Sequence, residues 1–369
     1  MRPQRVLVTG VSRYLGGKVA ALLAADPDIE RIVGVDSVPP RADLGRTEFV
    51  RADIRNPLIA KVIASAQIDT VVHMNLIATP IGAGGRTAMK ETNVIGTMQL
   101  LAACQKSPTL RKLVVKSTTA VYGSSTHDPA LYTEDLETKG HPHGGYAKDA
   151  VEVEGYVRGF GRRRPDVDVT LLRFTNFIGP TIDSPLTRYL SLPVVPTVLG
   201  YDPRLQLCHE DDATEILRLA TLEDRSGTYN AGGTGVLLLS QAIRRAGRVS
   251  VPVPTPAVSL TGNVFRRAGL VDFSPEQMRF IEHGRTADVT RLHEMFGYQP
   301  RYTTEEAFDQ WVQQTRLRPV ISPERVAEIE RGVLELVARG NAVFGRTASA
   351  TAIATPLPQL ELTRRTTDA

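Results

Sequence analysis

Cysteine is nearly absent from this sequence: Cys104 and Cys208 are the only two among 369 residues. With no CxxC spacing, they point to neither a thiolate zinc site nor a redox dithiol, and a disulfide scaffold is excluded. Cys104 ends a helix-like Leu-Leu-Ala-Ala-Cys, where a small buried hydrophobe is the simple reading. No apolar run reaches the roughly 18 residues that a membrane span needs. The first strand-like apolar stretch follows Met1-Arg2-Pro3-Gln4-Arg5 too early, and is too short, to be the core of a signal peptide. The expectation is a cytoplasmic protein with no membrane contact. Charge of one sign is also lacking: 44 Lys and Arg against 40 Asp and Glu leave +4 on the whole chain. That is too weak to imply nucleic-acid binding. No internal repeat is present.

What is present is ordinary globular composition, 42% hydrophobic and 23% charged, which excludes wholesale disorder and a collagen-like chain. At about 150 residues per domain, the length suggests two lobes. The first half alternates short β-branched runs with helix-like stretches. Strands are expected at 5–9, 32–36, 48–52, 69–73, 113–116 and 167–173, with helices at 17–25, 87–105 and 146–160. Continuous Val, Leu and Ile without polar alternation suit strands covered on both faces. The pattern predicts an α/β, Rossmann-type, doubly wound parallel sheet.

Regularity fades after Pro180. Residues 180–203 read as irregular, 204–208 as a strand, 211–222 as a helix, 228–230 as a strand, 240–246 as a helix and 251–256 as a proline-rich connector. The expected organisation is a dinucleotide-binding domain over 1–180, with 204–232 returning to it. A smaller interleaved substrate lobe is expected from 181–203 and 233–322. Val326, Ile329, Val333 and Leu336 recur with a helical period, so 323–346 should hold an amphipathic C-terminal helix. The Ala/Thr/Pro-rich 347–369 should be a disordered tail.

The strongest local signal is Val6-Leu-Val-Thr-Gly10-Val-Ser-Arg13-Tyr14-Leu15-Gly16, a strand, a turn and a helix start. Glycine is needed where the chain bends tightly beside a pyrophosphate, and the free N–H groups of the helix start bind phosphate. Gly10 and Gly16 occupy the outer positions of a Gly-x-x-Gly-x-x-Gly loop, and Arg13 stands at the middle one. Asp36 ends the second strand, 20 residues after Gly16, where a carboxylate binds ribose hydroxyls and disfavours a 2′-phosphate. That favours NAD over NADP, although Arg13 could pair with phosphate. The bland alternative is an empty crevice with Asp36 as a solvated strand end.

Further stretches carry a resemblance. Arg51-Ala-Asp53-Ile54-Arg55, Val71-Val-His73, Asn93-Val94-Ile95-Gly96-Thr97, Ser117-Thr118-Thr-Ala-Val121-Tyr122-Gly123, Leu172-Arg173-Phe-Thr-Asn176-Phe-Ile-Gly179-Pro180 and Leu205-Gln206-Leu-Cys-His209-Glu-Asp-Asp212 follow one another in register over residues 5–310. Together they resemble the extended short-chain dehydrogenase/reductases, the NAD-dependent epimerase/dehydratases, and within them the UDP-glucose 4-epimerase-like members. The resemblance implies NAD as cofactor, held by Gly10, Arg13, Tyr14, Leu15, Gly16, Asp36, Asp53, Ile54, His73, Asn93, Ser117 and Tyr146. It implies hydride transfer at a carbon of a nucleotide sugar, with Tyr146 as base and Thr118 holding the reacting hydroxyl. Thr118, Asn176 and Arg204 would contact substrate, although the family's strand arginine belongs one residue later, where Leu205 stands. A homodimer is a common arrangement in such proteins.

One departure is informative. The family's tyrosine is followed four residues later by a lysine on the same helix face, whose charge lowers the phenol's pKa. Here that position is Ala150. Lys148, two residues on, lies about 200° round the helix and should point away. The readings are a weaker epimerase, aided by the nicotinamide charge, His143 or Lys116; another hydride transfer, such as a hydroxysteroid-type dehydrogenase; or a non-catalytic NAD-binding or regulatory protein. A 4,6-dehydratase is disfavoured, because Thr119 and Ala120 stand where it would carry an acid and a base. His141 and His143 read as loop residues. His209, Asp211 and Asp212 read as a capped helix start rather than a metal site.

Overall fold

In the computed structural model, the described residues are 2–79, 84–136, 145–254, 275–315 and 317. The expected C-terminal helix and tail, His141 and His143 lie outside them. In chain order the strands are β1 (Arg5–Thr9), β2 (Arg31–Asp36), β3 (Glu48–Arg51), β4 (Thr70–His73), β5 (Lys112–Thr118), β6 (Asp168–Phe174), β7 (Asn176–Ile178), β8 (Val194–Val198), β9 (Arg204–Leu205), β10 (Leu207–His209), β11 (Gly227–Ala231), β12 (Leu237–Leu238) and β13 (Val249–Val253). The helices are α1 (Tyr14–Ala24), α2 (Leu58–Ser65), α3 (Arg86–Lys90), α4 (Thr97–Lys106), α5 (Gly145–Arg163), α6 (Pro185–Leu190), α7 (Glu210–Leu222), α8 (Leu239–Arg245), α9 (Pro275–His283), α10 (Thr290–Glu294) and α11 (Thr304–Gln314).

Seven parallel strands form one sheet in the order β11-β6-β5-β4-β1-β2-β3. Chain direction across the sheet reverses between β1 and β4, which opens a crevice at their carboxyl ends. The central strands are mainly apolar because helices cover both faces. Ile59 and Ile63 of α2, Leu100 and Leu101 of α4 and Val153 and Val157 of α5 pack on one face. Val19 and Leu23 of α1 and Ile216 and Leu217 of α7 pack on the other. A third cluster, with Tyr189, Val195, Ile243, Phe308 and Trp311, lies outside the sheet.

The structure corrects several sequence expectations. Residues 180–203 are not irregular: Ser184 and Thr187 form a reciprocal cap, Pro185 sits at the helix start, and α6 and β8 follow. The expected connector at 251–256 overlaps β13, which runs parallel to β8 with Val251 opposite Pro196 and Pro252 opposite Thr197. Each strand of such a two-stranded ribbon has a free edge, so proline is tolerated there. The single strand expected at 204–208 breaks at Gln206. β9 pairs with β12 and β10 with β7, while the Gln206 side chain binds Gly233 O and Ala287 N at 3.1 and 2.7 Å. The helix expected over 87–105 widens at Glu91–Gly96 into one π turn. Helix α2, unanticipated, buries Ile59 and Ile63, one turn apart.

Candidate active site

The nucleotide loop is built by two glycines. Gly10 has φ +77°, a conformation that disfavours other residues. A Cβ on Gly16 would lie 2.2 Å from the Gly10 carbonyl oxygen, so α1 can begin this close to β1 only with glycine. Arg13 precedes α1 without capping it through its side chain. Asp36, buried at the end of β2, accepts from Ser12 N at 3.1 Å, Ser12 Oγ at 2.6 Å and Ser37 N at 2.7 Å. Burial lowers the pKa of Arg13, and the nearby Asp36 carboxylate opposes that. On the other side Tyr14 donates to Glu210 Oε1 at 2.7 Å and Lys18 to Asp211 Oδ1 at 2.6 Å, tying α1 to α7. The glycine turn, the helix start and the carboxylate at the second strand's end suit a dinucleotide. Arg13, Tyr14, Leu15 and Gly16 are the residues that would lie along its phosphates, with Asp36 for a ribose.

The loop opens into a cavity of about 300 Å³. Lys116 and Thr118 from β5, Tyr146 from α5 and Asn176 from β7 line it. Phe177, Ile182, Leu186, Phe280, Ile281 and Arg285 line it too. Lys116 and Thr118 are two apart on one strand, so their side chains leave the same face. Thr118 Oγ1 accepts from Ala120 N at 3.1 Å. Lys116 Nζ donates to Leu76 O at 3.1 Å. Burial, and secondarily Arg13, lower the Lys116 pKa to about 7.

The start of α5 is fixed by a buried ion pair. Arg86 donates to both oxygens of the fully buried Asp149 at 2.7 Å and to Gly145 O at 2.8 Å. Ala150 is fully buried in the apolar core, and Lys148 is exposed and does not line the cavity. The position four after Tyr146 is therefore a packing site here.

Several residues expected at the cofactor or substrate do not line this cavity. Ser117 points to the opposite face of β5, donating to Glu154 Oε1 at 2.6 Å. His73 is buried between Thr9 Oγ1, at 2.9 Å, and Thr97 Oγ1, at 2.8 Å, and so joins β1, β4 and α4. Burial, reinforced by the Lys116 charge, lowers its pKa to about 3, so the ring is neutral. Asn93 holds the segment after β4, accepting from Ile77 N at 2.7 Å and donating to Ile77 O at 2.9 Å. Ile54 is core against Gly96, and Asp53 is engaged by Arg55 at 2.6 Å. Arg204 is exposed on β9 and does not line the cavity.

Arg285 went unread in the sequence. It follows Gly284, whose φ is +71° and whose Cβ would lie 2.5 Å from Arg204 O. That close approach carries Arg285 to the cavity, where Nη1 donates to Gly123 O at 3.0 Å. A Gly-Arg pair after a helix was the available signal. His209 accepts from Asp211 N at 3.1 Å, and Asp212 accepts from Tyr298 Oη and Arg301 N at 2.7 and 2.8 Å. This cluster is engaged in capping and anchoring α7.

A dinucleotide loop beside a cavity with a tyrosine and a hydroxyl defines a Rossmann-fold oxidoreductase-type site. Comparison makes this specific: residues 6–232 match the NAD dependent epimerase/dehydratase family, and the chain belongs to that family. A protein of Mycobacterium tuberculosis with no characterised function is 49% identical over 341 residues, covering 91% of each chain. UDP-glucose 4-epimerase 2 of Oryza sativa subsp. japonica is 31% identical over 194 residues, 47% of this chain and 45% of that one. Among solved structures, UDP-glucose 4-epimerase of Thermotoga maritima with UDP-glucose aligns with TM-score 0.67 at 19% identity, over 85% of this chain and 99% of that one. UDP-glucuronic acid 4-epimerase of Bacillus cereus, with UDP-glucuronic acid and NAD, aligns with TM-score 0.65 at 19% identity, over 85% and 99%. These last two likenesses concern the fold.

Proposed function

We propose that this protein is an NAD-dependent nucleotide-sugar epimerase-like oxidoreductase. The observation that carries this reading is that Tyr146 and Thr118 line one cavity together with Arg13 to Gly16 of the glycine loop and with Arg285. Bound NAD supplies a hydride acceptor and donor. The phenolate of Tyr146 would take the proton from a sugar hydroxyl, becoming the phenol, and Thr118 would hold that hydroxyl for it. Asn176 contributes a polar wall, and Arg285 a cation for the diphosphate end of the substrate. The apolar segments around Ile182 and Phe280 exclude water from the reacting carbon. The family likeness and the relatives that act on UDP-sugars support the same assignment.

A second reading rests on that apolar wall. Phe177, Ile182, Leu186, Phe280 and Ile281 would also suit an apolar secondary alcohol, as in a hydroxysteroid-type dehydrogenase. One experiment separates the two. The purified protein is supplied with NAD and, in turn, UDP-glucose, UDP-galactose, UDP-glucuronic acid and a hydroxysteroid. Products are followed by proton NMR. Appearance of the C4 epimer of one sugar supports the epimerase reading. Oxidation of the steroid alone moves the assignment to the second, and no product from any of the four contradicts both.

A further inference from the structure

We infer that Glu210, the first residue of α7, is a positioning residue for the cavity: its carboxylate joins the glycine loop to the wall segment 179–184, so that a dinucleotide bound at the loop holds that wall in place for the second ligand. This rests on the reading of the loop as the NAD site, and it makes binding of the two ligands mutually favourable.

Three observations carry it. First, the register of two short strands brings the partners together. β7 and β10 run parallel with Ile178 opposite His209, so Gly179 and Glu210, the next residue of each, lie side by side. A Cβ on Gly179 would stand 2.5 Å from both Cγ and Oε2 of Glu210, so glycine is what lets the carboxylate cross this strand end. Second, the two carboxylate oxygens go to different parts of the site. Oε1 accepts from Tyr14 Oη at 2.7 Å, and Tyr14 is the first residue of α1, at the loop. Oε2 accepts from Thr181 N at 3.1 Å. Thr181, Ile182, Asp183 and Ser184 line the cavity, and Ser184 caps α6. Third, the first turn of α7 is capped by His209, which accepts from Asp211 N at 3.1 Å. Glu210 is buried, and a buried carboxylate is stable only where donors meet it. Here those donors come from outside its own helix.

The charged groups around the carboxylate fit this role. Lys18 Nζ lies 4.0 Å from Glu210 Oε1 and 3.2 Å from Tyr14 Oη, and its close ion pair is with Asp211 at 2.6 Å. Burial, with Glu210 beside it, raises the Tyr14 pKa, so the phenol keeps the proton it donates. Helix α1 is thus tied to α7 twice, and the tie through Glu210 is the one that continues to the cavity wall. Phosphate bound by the N–H groups at the start of α1 fixes Tyr14. That fixes Glu210, and with it the Thr181 N–H and the turn that Ile182 N closes onto Gly179 O at 3.2 Å. A segment ordered by one ligand costs the next ligand less to order, which is positive coupling without a large movement.

The test follows the wall and needs no sugar, so a wrong substrate assignment leaves it standing. NAD binding to the parent is first measured by calorimetry; no binding overturns the inference and the reading of the loop together. Amide hydrogen exchange of residues 179–184 is then followed by mass spectrometry, without NAD and with NAD at saturation, in the parent, Tyr14→Phe, Glu210→Gln and Asp211→Asn. Tyr14→Phe removes only the hydroxyl that meets Glu210, and Asp211→Asn breaks the Lys18 pair while leaving Tyr14 and Glu210 in place. The expected result is exchange slowed about tenfold by NAD in the parent and in Asp211→Asn, and less than about twofold in Tyr14→Phe and Glu210→Gln. Should Glu210→Gln fail to fold, Tyr14→Phe carries the test. Equal slowing in Tyr14→Phe and the parent overturns the inference, since NAD then reaches the wall by another route. So does a parent that binds NAD with no slowing of the segment. A loss of slowing in Asp211→Asn as large as that in Tyr14→Phe also overturns it, because the effect would then be a general loosening of α1.

Discussion

The two faces of strand β5 carry opposite kinds of polar chemistry. On the face turned to α5, Ser117 donates to Glu154, which also receives Nη2 of Arg173 at 2.7 Å. Arg173 donates in turn to Tyr122 Oη and Glu134 O at 2.8 and 3.1 Å, and Tyr122 to Asn230 at 2.8 Å. The Tyr122 ring stacks on Tyr132 at 4.6 Å with Arg173 over its face. Every strong donor on that side ends on a protein acceptor. On the other face Lys116 and Thr118 look into a cavity, where Lys116 donates to a backbone carbonyl and Thr118 accepts from a backbone N–H. A single-residue alternation thus separates a closed network, which holds the sheet to its helix, from an open set, which can act on a ligand. Sequence resemblance treats Ser117 and Thr118 as one motif; the pleat gives them different work.

The contrast can be broken or sharpened by substitution. The largest effect is expected from Glu154→Ala, which leaves Arg173 buried without its carboxylate. About 3–5 kcal/mol of stability should be lost, read by urea unfolding of the purified protein. A loss below about 1 kcal/mol would show that the network relaxes onto water. His73 comes next. Its folded pKa, lowered to about 3 from an ordinary 6.5, means that the unfolded chain binds the extra proton. Its contribution to stability is complete above pH 6.5 and is lost as pH falls toward 3. The slope should be about 1.4 kcal/mol per pH unit within that window. Unfolding free energies of the parent and of His73→Gln, compared between pH 6 and 4, should diverge, with the variant showing the shallower slope.

A smaller effect is expected at the open end of the crevice. Asp36→Ala should weaken NAD binding about tenfold by calorimetry, and equal affinity in the two proteins would remove Asp36 from the cofactor site. The smallest is Ser117→Ala. It should cost about 1 kcal/mol of stability through the lost bond to Glu154 and leave NAD affinity unchanged. A fall in NAD affinity at unchanged stability would place Ser117 on the wrong face of this comparison.

Much of the architecture was legible because it depends on one-dimensional patterns. Apolar runs bounded by turns gave six of the seven sheet strands closely, and 227–231 by its shorter core at 228–230. The glycine loop could be read because only glycine fits at Gly16. The cavity positions of Thr118, Tyr146 and Asn176 followed from motif register, and Ala150 stood out as a departure. The facing of polar side chains was harder to read. Ser117, Asn93 and His73 are polar residues at strand or helix ends near a cofactor loop, and sequence does not say which neighbour saturates them. Their partners Glu154, Ile77 and Thr97 are 37, 16 and 24 residues away. Arg285 lay beyond reach for the same reason, since a bend at Gly284 against β9 delivers it. Prolines at 196 and 252 suggested loops, because proline's edge-strand role depends on a partner that composition does not reveal.

We propose that Tyr146, in the cavity it shares with Thr118, acts as the base although position 150 is alanine. The direct measurement is turnover of the best-converted nucleotide sugar by the parent and by Tyr146→Phe, with urea midpoints recorded for both. A loss of about 100-fold or more in kcat with an unchanged midpoint is expected. Turnover by the phenylalanine variant at the parent's rate would contradict it.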